Sequence, residues 1–478
     1  MKKICLYVLP LLAVACSKKV VGSGNDTIPP PPVQVKSDVS VWLTDPSASI
    51  LFKPQASTSL VFAAPAATAD VIEVDDKQSF QVIDGFGFTL TGGSAMHLAN
   101  MTAENRAALL KELFATDSTF IGTSYLRISI GASDLDATVF SYNDLAAGET
   151  DVNMDKFDLT PDKKYLIPIL KEILAINPNI KILGSPWSPP TWMKTNNNSK
   201  GGSLKPDYYD AYAKYFVKYV QQMKAAGVTI DAITVQNEPL HPGNNPSLLM
   251  QPEEQAAFIK KSLGPAFQAA GITTKIIIYD HNVDRPDYPI TVLGDADAAK
   301  YIDGSAFHLY AGSVDAITQV HNAFPQKNVY FTEQWVGAPG NLRGDLNWHI
   351  KNVIIGTARN WCKTALEWNL AANTKLEPHT PGGCTQCLGA VTIEGNAVTR
   401  NPAYYIIAHA SKFVRPGSVR VSSSLSSGLS NVAFTTPDNK KVLIVLNEGN
   451  NIRTFAIRYN GKDVITSLNG GSVATYVW

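Results

Sequence analysis

The chain has 478 residues, 45% apolar and 17% charged, enough hydrophobic side chain to fill a large core and enough length for an α/β barrel with a smaller domain beside it. Lysine plus arginine and aspartate plus glutamate both number 41, so the formal net charge is zero. No basic field exists to hold nucleic acid through its phosphates, and a neutral substrate is the expectation.

In chain order, Lys2 and Lys3 precede an apolar stretch, residues 4–15, too short to span a bilayer as a mature helix; residues 1–15 read as a cleaved export signal. Cys16, after Ala13-Val14-Ala15, resembles a bacterial lipoprotein box, in which the cysteine is acylated and becomes the new N-terminus. That pattern prefers leucine where Ala13 stands, so soluble secretion is the alternative to a periplasmic or outer-membrane-anchored lipoprotein. Residues 16–37, with four consecutive prolines from Pro29, suit an extended tether that holds the folded part away from a surface.

Residues 38–79 carry strand-like runs at 39–43, 60–62 and 71–74, expected to join a β-domain formed by the far end of the chain. From 80 to 398, β-branched runs alternate with amphipathic helical segments, the pattern of βα units around a parallel sheet. Eight strands are predicted, at 82–88, 123–130, 182–185, 232–236, 275–279, 304–308, 329–332 and 364–368. Between them, residues 165–176 place Leu166, Ile169, Leu170 and Ile173 on one helical face, and residues 209–223 do the same with Tyr212, Phe216, Val220 and Met223. Pro252 followed by Glu253 and Glu254 marks a further helix start. Eight strands closed by helices make a (β/α)8 barrel. Residues 413–478 instead show short alternating runs between Asn/Gly/Asp turns, and 399–478 is expected to form an antiparallel β-sandwich domain.

Three cysteines lie in the body of the chain. Cys384-x-x-Cys387 sits in a Gly/Pro-rich loop where only His379 could add a metal ligand, so a local disulfide is favoured over zinc. Cys362 reads as a core residue. The eight histidines are scattered, and the first strand carries none, so no metal and no cofactor is expected.

Barrel active sites are built where strands end. The run Thr234-Val-Gln-Asn237-Glu238-Pro239 delivers one carboxyl at such an end, and Val329-Tyr-Phe-Thr-Glu333-Gln334-Trp335 delivers a second. Two carboxyls facing one pocket are what glycoside hydrolysis needs: one protonates the departing oxygen while the other acts on the opposite face of the sugar, about 5 Å apart when configuration is retained.

These motifs resemble glycoside hydrolase family 30, the family of glucosylceramidases and β-1,6-glucanases. The likeness also runs through Asp84-Gly-Phe-Gly87, Leu126-Arg127-Ile-Ser-Ile, Ala132-Ser-Asp134, Ser185-Pro-Trp187 continuing to Trp192, Phe307-His308-Leu-Tyr310, Glu367-Trp368-Asn369 and the run from His409 to Gly417. The resemblance implies a retaining enzyme for β-glucosidic bonds, with Glu238 as acid/base, Glu333 as nucleophile and Asn237 on the sugar 2-hydroxyl. It further implies that Asp134, Trp187 and Trp368 hold the sugar and that Arg127, His308 and Tyr310 surround the carboxylates. Trp192 and Trp335 are either stacking platforms or loop packing. Like-charge repulsion raises one carboxyl of such a pair, and the acid, Glu238, is expected to be that one. A β-1,6-glucan or other β-glucoside is the expected substrate; glucosyl lipids are an alternative, and a non-catalytic glycan-binding lipoprotein is the rival from another class.

Overall fold

The computed structural model describes residues 36–66 and 70–478; the signal, Cys16 and the proline-rich tether lie outside the described residues. Eight parallel strands, β1 (Gly85–Thr89), β2 (Tyr125–Ile130), β3 (Lys181–Pro186), β4 (Ala232–Thr234), β5 (Lys275–Asn282), β6 (Ile302–His308), β7 (Asn328–Glu333) and β8 (Cys362–Asn369), close into a barrel in which Thr364 of β8 pairs with Gly85 of β1. The helices Leu166–Ile176 and Tyr209–Ala225 bury the faces that their periodicity marked.

Alternation along each strand sorts side chains into two environments. Leu126, Ile128 and Ile130 of β2 join the core shared with the surrounding helices. Tyr125 instead meets Leu183, Ala232, Ile277, Ala306, Tyr330 and Leu366 in a separate apolar cluster that plugs the barrel. Two residues further along these strands, toward their C-terminal ends, stand Arg127, Ser185, Thr234, His308, Thr332 and Trp368. The plug thus becomes the floor of a polar layer at the barrel mouth.

One strand breaks this rhythm. Period two would turn Tyr279 of β5 inward, but β5 is bulged between Tyr279 and His281, with Tyr279 and Asp280 at φ 70° and 64°. Tyr279 joins the outer core, and Asp280 turns into the polar layer.

The second domain is a nine-stranded sheet to which both ends of the chain contribute: Ser40–Asp45, Ile50–Pro54 and Val71–Val82 from the N-terminal side, and six strands between Val419 and Val477. Val71–Val82 pairs in parallel with Arg453–Tyr459 and antiparallel with Val419–Ser423. Ile72, Phe455 and Ile457 share an inner core with Leu443, Val445 and Tyr476. The alternate residues Val442, Ile444 and Leu446 pack into the barrel's core, so the strand Lys441–Asn447 is buried on both faces.

Two sequence expectations differ in detail. Residues 60–62 form no strand; Leu60 is buried and accepts backbone hydrogen bonds from Asp38 and Val39. Residues 399–478 are not all β: Pro402–Ser411 is a helix packed against β1, β8 and the helix Leu342–His349, so the barrel layer continues beyond residue 398. The reason lies in its composition, since every residue of that helix is buried. Its His409 bonds Thr44 at 2.8 Å and Thr475 at 2.9 Å, joining helix to sheet from both sides. Among the described residues no helix is long and apolar enough to cross a membrane.

Candidate active site

A cavity of about 370 Å³ opens at the C-terminal mouth of the barrel, lined by Asp134, Trp187, Asn237, Glu238, Tyr310, Glu333, Trp335 and Trp368. Arg127 and His308 lie immediately beneath, fully buried. Ten of the eleven residues singled out from the sequence therefore meet at one place, Trp192 excepted.

Glu238 is carried beyond the end of β4 with φ 44°, its N–H donating to the carbonyl of Asp280 at 2.9 Å. Glu333 closes β7. Its Oε2 accepts from Arg127 Nη1 at 2.5 Å and its Oε1 from the Tyr310 hydroxyl at 2.9 Å, which fixes both carboxylate oxygens. One oxygen of Glu238, one oxygen of Glu333 and one ring nitrogen of His308 all lie within 4.8 Å of one another. This is the carboxyl separation of a retaining rather than an inverting glycosidase. Three such ligands could embrace a cation, but Arg127 already supplies positive charge to the cluster, and His308 does so when protonated.

Asp280, which the sequence reading missed, organises the layer below. Its Oδ2 accepts from Arg127 Nη2 at 2.8 Å, Ser185 Oγ at 2.7 Å and Thr234 Oγ1 at 2.7 Å; its Oδ1 bonds His308 Nε2 at 3.0 Å and accepts from Thr332 Oγ1 at 2.6 Å. Despite complete burial, the Arg127 charge and these donors hold it well below the usual carboxylate range. The other ring nitrogen of His308 bonds Glu238 Oε1 at 3.0 Å. Burial alone would depress this imidazole, but the surrounding carboxylates raise it to about 9. The signal that could have revealed Asp280 was its place just after the fifth predicted strand, where the other strand ends carry their functional side chains.

The two central carboxyls differ from the sequence expectation. Burial pushes Glu238 up, but the His308 hydrogen bond and charge outweigh it, and Glu238 lies below its ordinary value. Glu333 is the raised one: burial dominates, with Glu238 and Asp280 adding to it against the pull of His308 and Arg127. These shifts favour a proton on the His308 imidazole over one on Glu238. The sequence reading places His308 beside the carboxylates, but not its direct bond to Glu238, which lowers that carboxyl.

Asn237 Oδ1 accepts from Arg127 Nη2 at 2.6 Å, so its amide NH₂ is left to donate into the cavity. Trp187 and Trp368 lie 5.5 Å apart, with the Arg127 guanidinium 4.8 Å from the first ring. Burial raises Asp134 to about 7, the Glu333 charge reinforcing this, while the Cys384 N–H donates to its Oδ2 at 3.1 Å. Cys384 and Cys387 form a disulfide in the cavity wall, and Cys362 is free and buried. Trp335 is half-buried against Trp187 and Trp368. Trp192 stands apart: its Nε1 donates to Asn143 Oδ1 and its ring packs on Tyr208, so it is loop packing. The cavity also takes in His241, Asn244, His281 and Asn282, which the sequence reading did not single out.

Residues 83–414 match the model of the glycosyl hydrolase family 30 TIM-barrel domain, and residues 417–476 that of the glycosyl hydrolase family 30 beta sandwich domain. The chain is 35% identical over 438 residues to the endo-1,6-beta-D-glucanase neg1 of Aspergillus fumigatus, covering 85% of this chain and 87% of that protein. It is 28% identical over 447 residues to the lysosomal acid glucosylceramidase of Mus musculus, covering 88% and 86%. Among solved structures, the endo-beta1,6-glucanase BT3312 matches with a TM-score of 0.85 at 35% identity, over 93% of this chain and 99% of that one.

Proposed function

This chain belongs to glycosyl hydrolase family 30 and is an O-glycosyl hydrolase, and on that premise we propose that it cleaves β-1,6-linked glucan by a retaining double displacement. The observation that carries the mechanism is the Glu238–Glu333 pair, with one oxygen of each within 4.8 Å of the other at two strand ends of one barrel mouth. The linkage is supported by the two 35% identical relatives, both described as endo-1,6-β-glucanases.

In this reading the glucosyl unit to be transferred lies against Trp187, Trp368 and Asp134. Arg127 and Tyr310 hold the Glu333 carboxylate still for attack on the anomeric carbon. Glu238 and His308 share one proton, and the same heavy-atom arrangement serves an imidazolium facing a carboxylate or a neutral imidazole facing a carboxylic acid. Substrate expels water and disfavours the charged form of the couple, moving the proton to Glu238, which gives it to the departing oxygen. Glu238 then takes a proton from the water that hydrolyses the glycosyl-enzyme.

The test is hydrolysis of a linear β-1,6-glucan beside β-1,3- and β-1,4-glucans and micellar glucosylceramide, with the first-formed anomer read by NMR. The proposal requires β-1,6 cleavage and a β product. A first-formed α anomer sinks the mechanism, and activity confined to glucosylceramide sinks the linkage.

The same proposal places the enzyme outside the cytoplasm, anchored through an acylated Cys16; the Cys384–Cys387 disulfide suits an oxidising compartment. The mass of the mature N-terminus, with and without Cys16→Ala, tests the anchor.

A further inference from the structure

Three of the four buried histidines hold at least one protein partner: His308 bonds Glu238 and Asp280, His409 bonds Thr44 and Thr475, and His349 bonds Glu367. His281 differs: it is 8% exposed and lines the cavity, yet among the described residues neither ring nitrogen has a protein partner, and its Nδ1 is sealed from solvent.

An unpaired N–H buried without a partner is costly, whereas an unpaired imidazole lone pair is cheaper, so the neutral ring places its proton on Nε2 and leaves the sealed Nδ1 bare. Neutrality is supported by burial, which lowers this imidazole to about 4 against the partial pull of Glu238. The result is a fixed N–H donor belonging to the cavity, with no acceptor among the described residues.

Topology says which part of a substrate it meets. The residues proposed to hold the transferred glucosyl unit follow β2 and β3 or lie on β8, while His281 rides on β5, across the barrel from β1 and directly beside β4, whose end carries Glu238. The acid must face the glycosidic oxygen, and β5 borders β4 on the side opposite to β3 and lies three strands from both β2 and β8, so a donor there faces the sugar that departs. We propose that His281 is a specificity-determining residue that donates through Nε2 to an oxygen of the leaving glucosyl unit, selecting sugar over non-sugar leaving groups. This rests on Glu238 being the acid.

The bulge that turns Asp280 inward also sets His281 at the cavity, so one irregularity of β5 serves the proton network and the leaving side together. Backbone strain at such a site is tolerated where surrounding bonds fix it, and the Asp280 carboxylate is held by Arg127, His308 and three hydroxyls.

The experiment compares kcat/KM on a β-linked gluco-oligosaccharide with kcat/KM on a nitrophenyl glycoside of the same glycone, whose leaving group has no sugar hydroxyls. For His281→Phe, which keeps the ring and loses the donor, the oligosaccharide-to-aryl ratio should fall about tenfold, the effect of one lost hydrogen bond in a desolvated site. A second pair keeps the test decisive if that variant folds poorly: the amide nitrogen of His281→Gln reaches where Nε2 stood and should preserve the ratio, whereas His281→Asn, reaching only as far as Nδ1, should lower it. A ratio unchanged within about twofold in Phe and Asn, or equal in Asn and Gln, overturns the proposal. Lack of β-1,6 activity in the wild type overturns the linkage instead, and the ratio is then read on the β-glucoside that the wild type does cleave.

Discussion

Asp280→Asn is the sharpest test of how the site is held together. The carboxylate bonds Arg127, Ser185, Thr234, His308 and Thr332, and it is completely buried. The amide has the same shape but no charge, and its NH₂ must point at groups that are themselves donors. His308 is raised from 6.5 to about 9, a rise worth about 3 kcal/mol at 1.4 kcal/mol per tenfold, and Asp280 supplies one of its two hydrogen bonds. Arg127 keeps Glu333 but loses its second carboxylate, and buried pairs deprived of one partner lose about 3–5 kcal/mol. A loss of about 3 kcal/mol at pH 7, at the lower end of that range, is therefore expected. The sign with pH follows from His308: its raised pKa stabilises the wild type fully below 6.5, and that contribution is lost as pH rises toward 9. Asp280→Asn should show a shallower decline over this window. Denaturant midpoints for both proteins from pH 5.5 to 9.5, alongside kcat/KM, measure it. Equal midpoints and parallel pH dependence would show that Asp280 is not the organising charge.

Three further outcomes follow from the same geometry. Glu333→Ala should be inactive and recover turnover with azide as an α-glucosyl azide, whereas Glu238→Ala should yield the β-azide from a substrate with a good leaving group; NMR of the products decides, and exchanged anomers mean exchanged roles. Asp134→Asn should raise KM yet stabilise the fold: the raised carboxyl lowers stability as pH climbs from 3.8 to about 7, so the gain should reach about 2–4 kcal/mol at pH 8 and shrink toward pH 4, a trend that a pH-independent gain would contradict. Replacing Cys384 and Cys387 together by serine opens a very short loop, so stability should fall by no more than about 2 kcal/mol, while KM rises because the Cys384 N–H that holds Asp134 is loosened. An unchanged KM would detach the disulfide from the sugar site.

Much of the molecule was written in the order of its residues. Hydrophobic periodicity located all eight barrel strands and the helices Leu166–Ile176 and Tyr209–Ala225, because each element must present one continuous face to a core, and that requirement repeats every two or 3.6 residues. The same rule brought Arg127, Glu238, His308, Glu333 and Trp368 to one mouth, since parallel strands in a closed barrel all end on the same side. Tertiary structure alone decided what no local pattern encodes. Asp280 enters the site through a bulge with two left-handed residues, an exception to alternation that period two excludes. His308 is raised because the carboxylates of Glu238, Asp280 and Glu333 converge on one imidazole, and charges distant in sequence add only when folding brings them within a few ångströms in a medium without water. The helix Pro402–Ser411 was assigned to the β-domain because it is buried on every side, and a helix with no polar face leaves no periodicity to read.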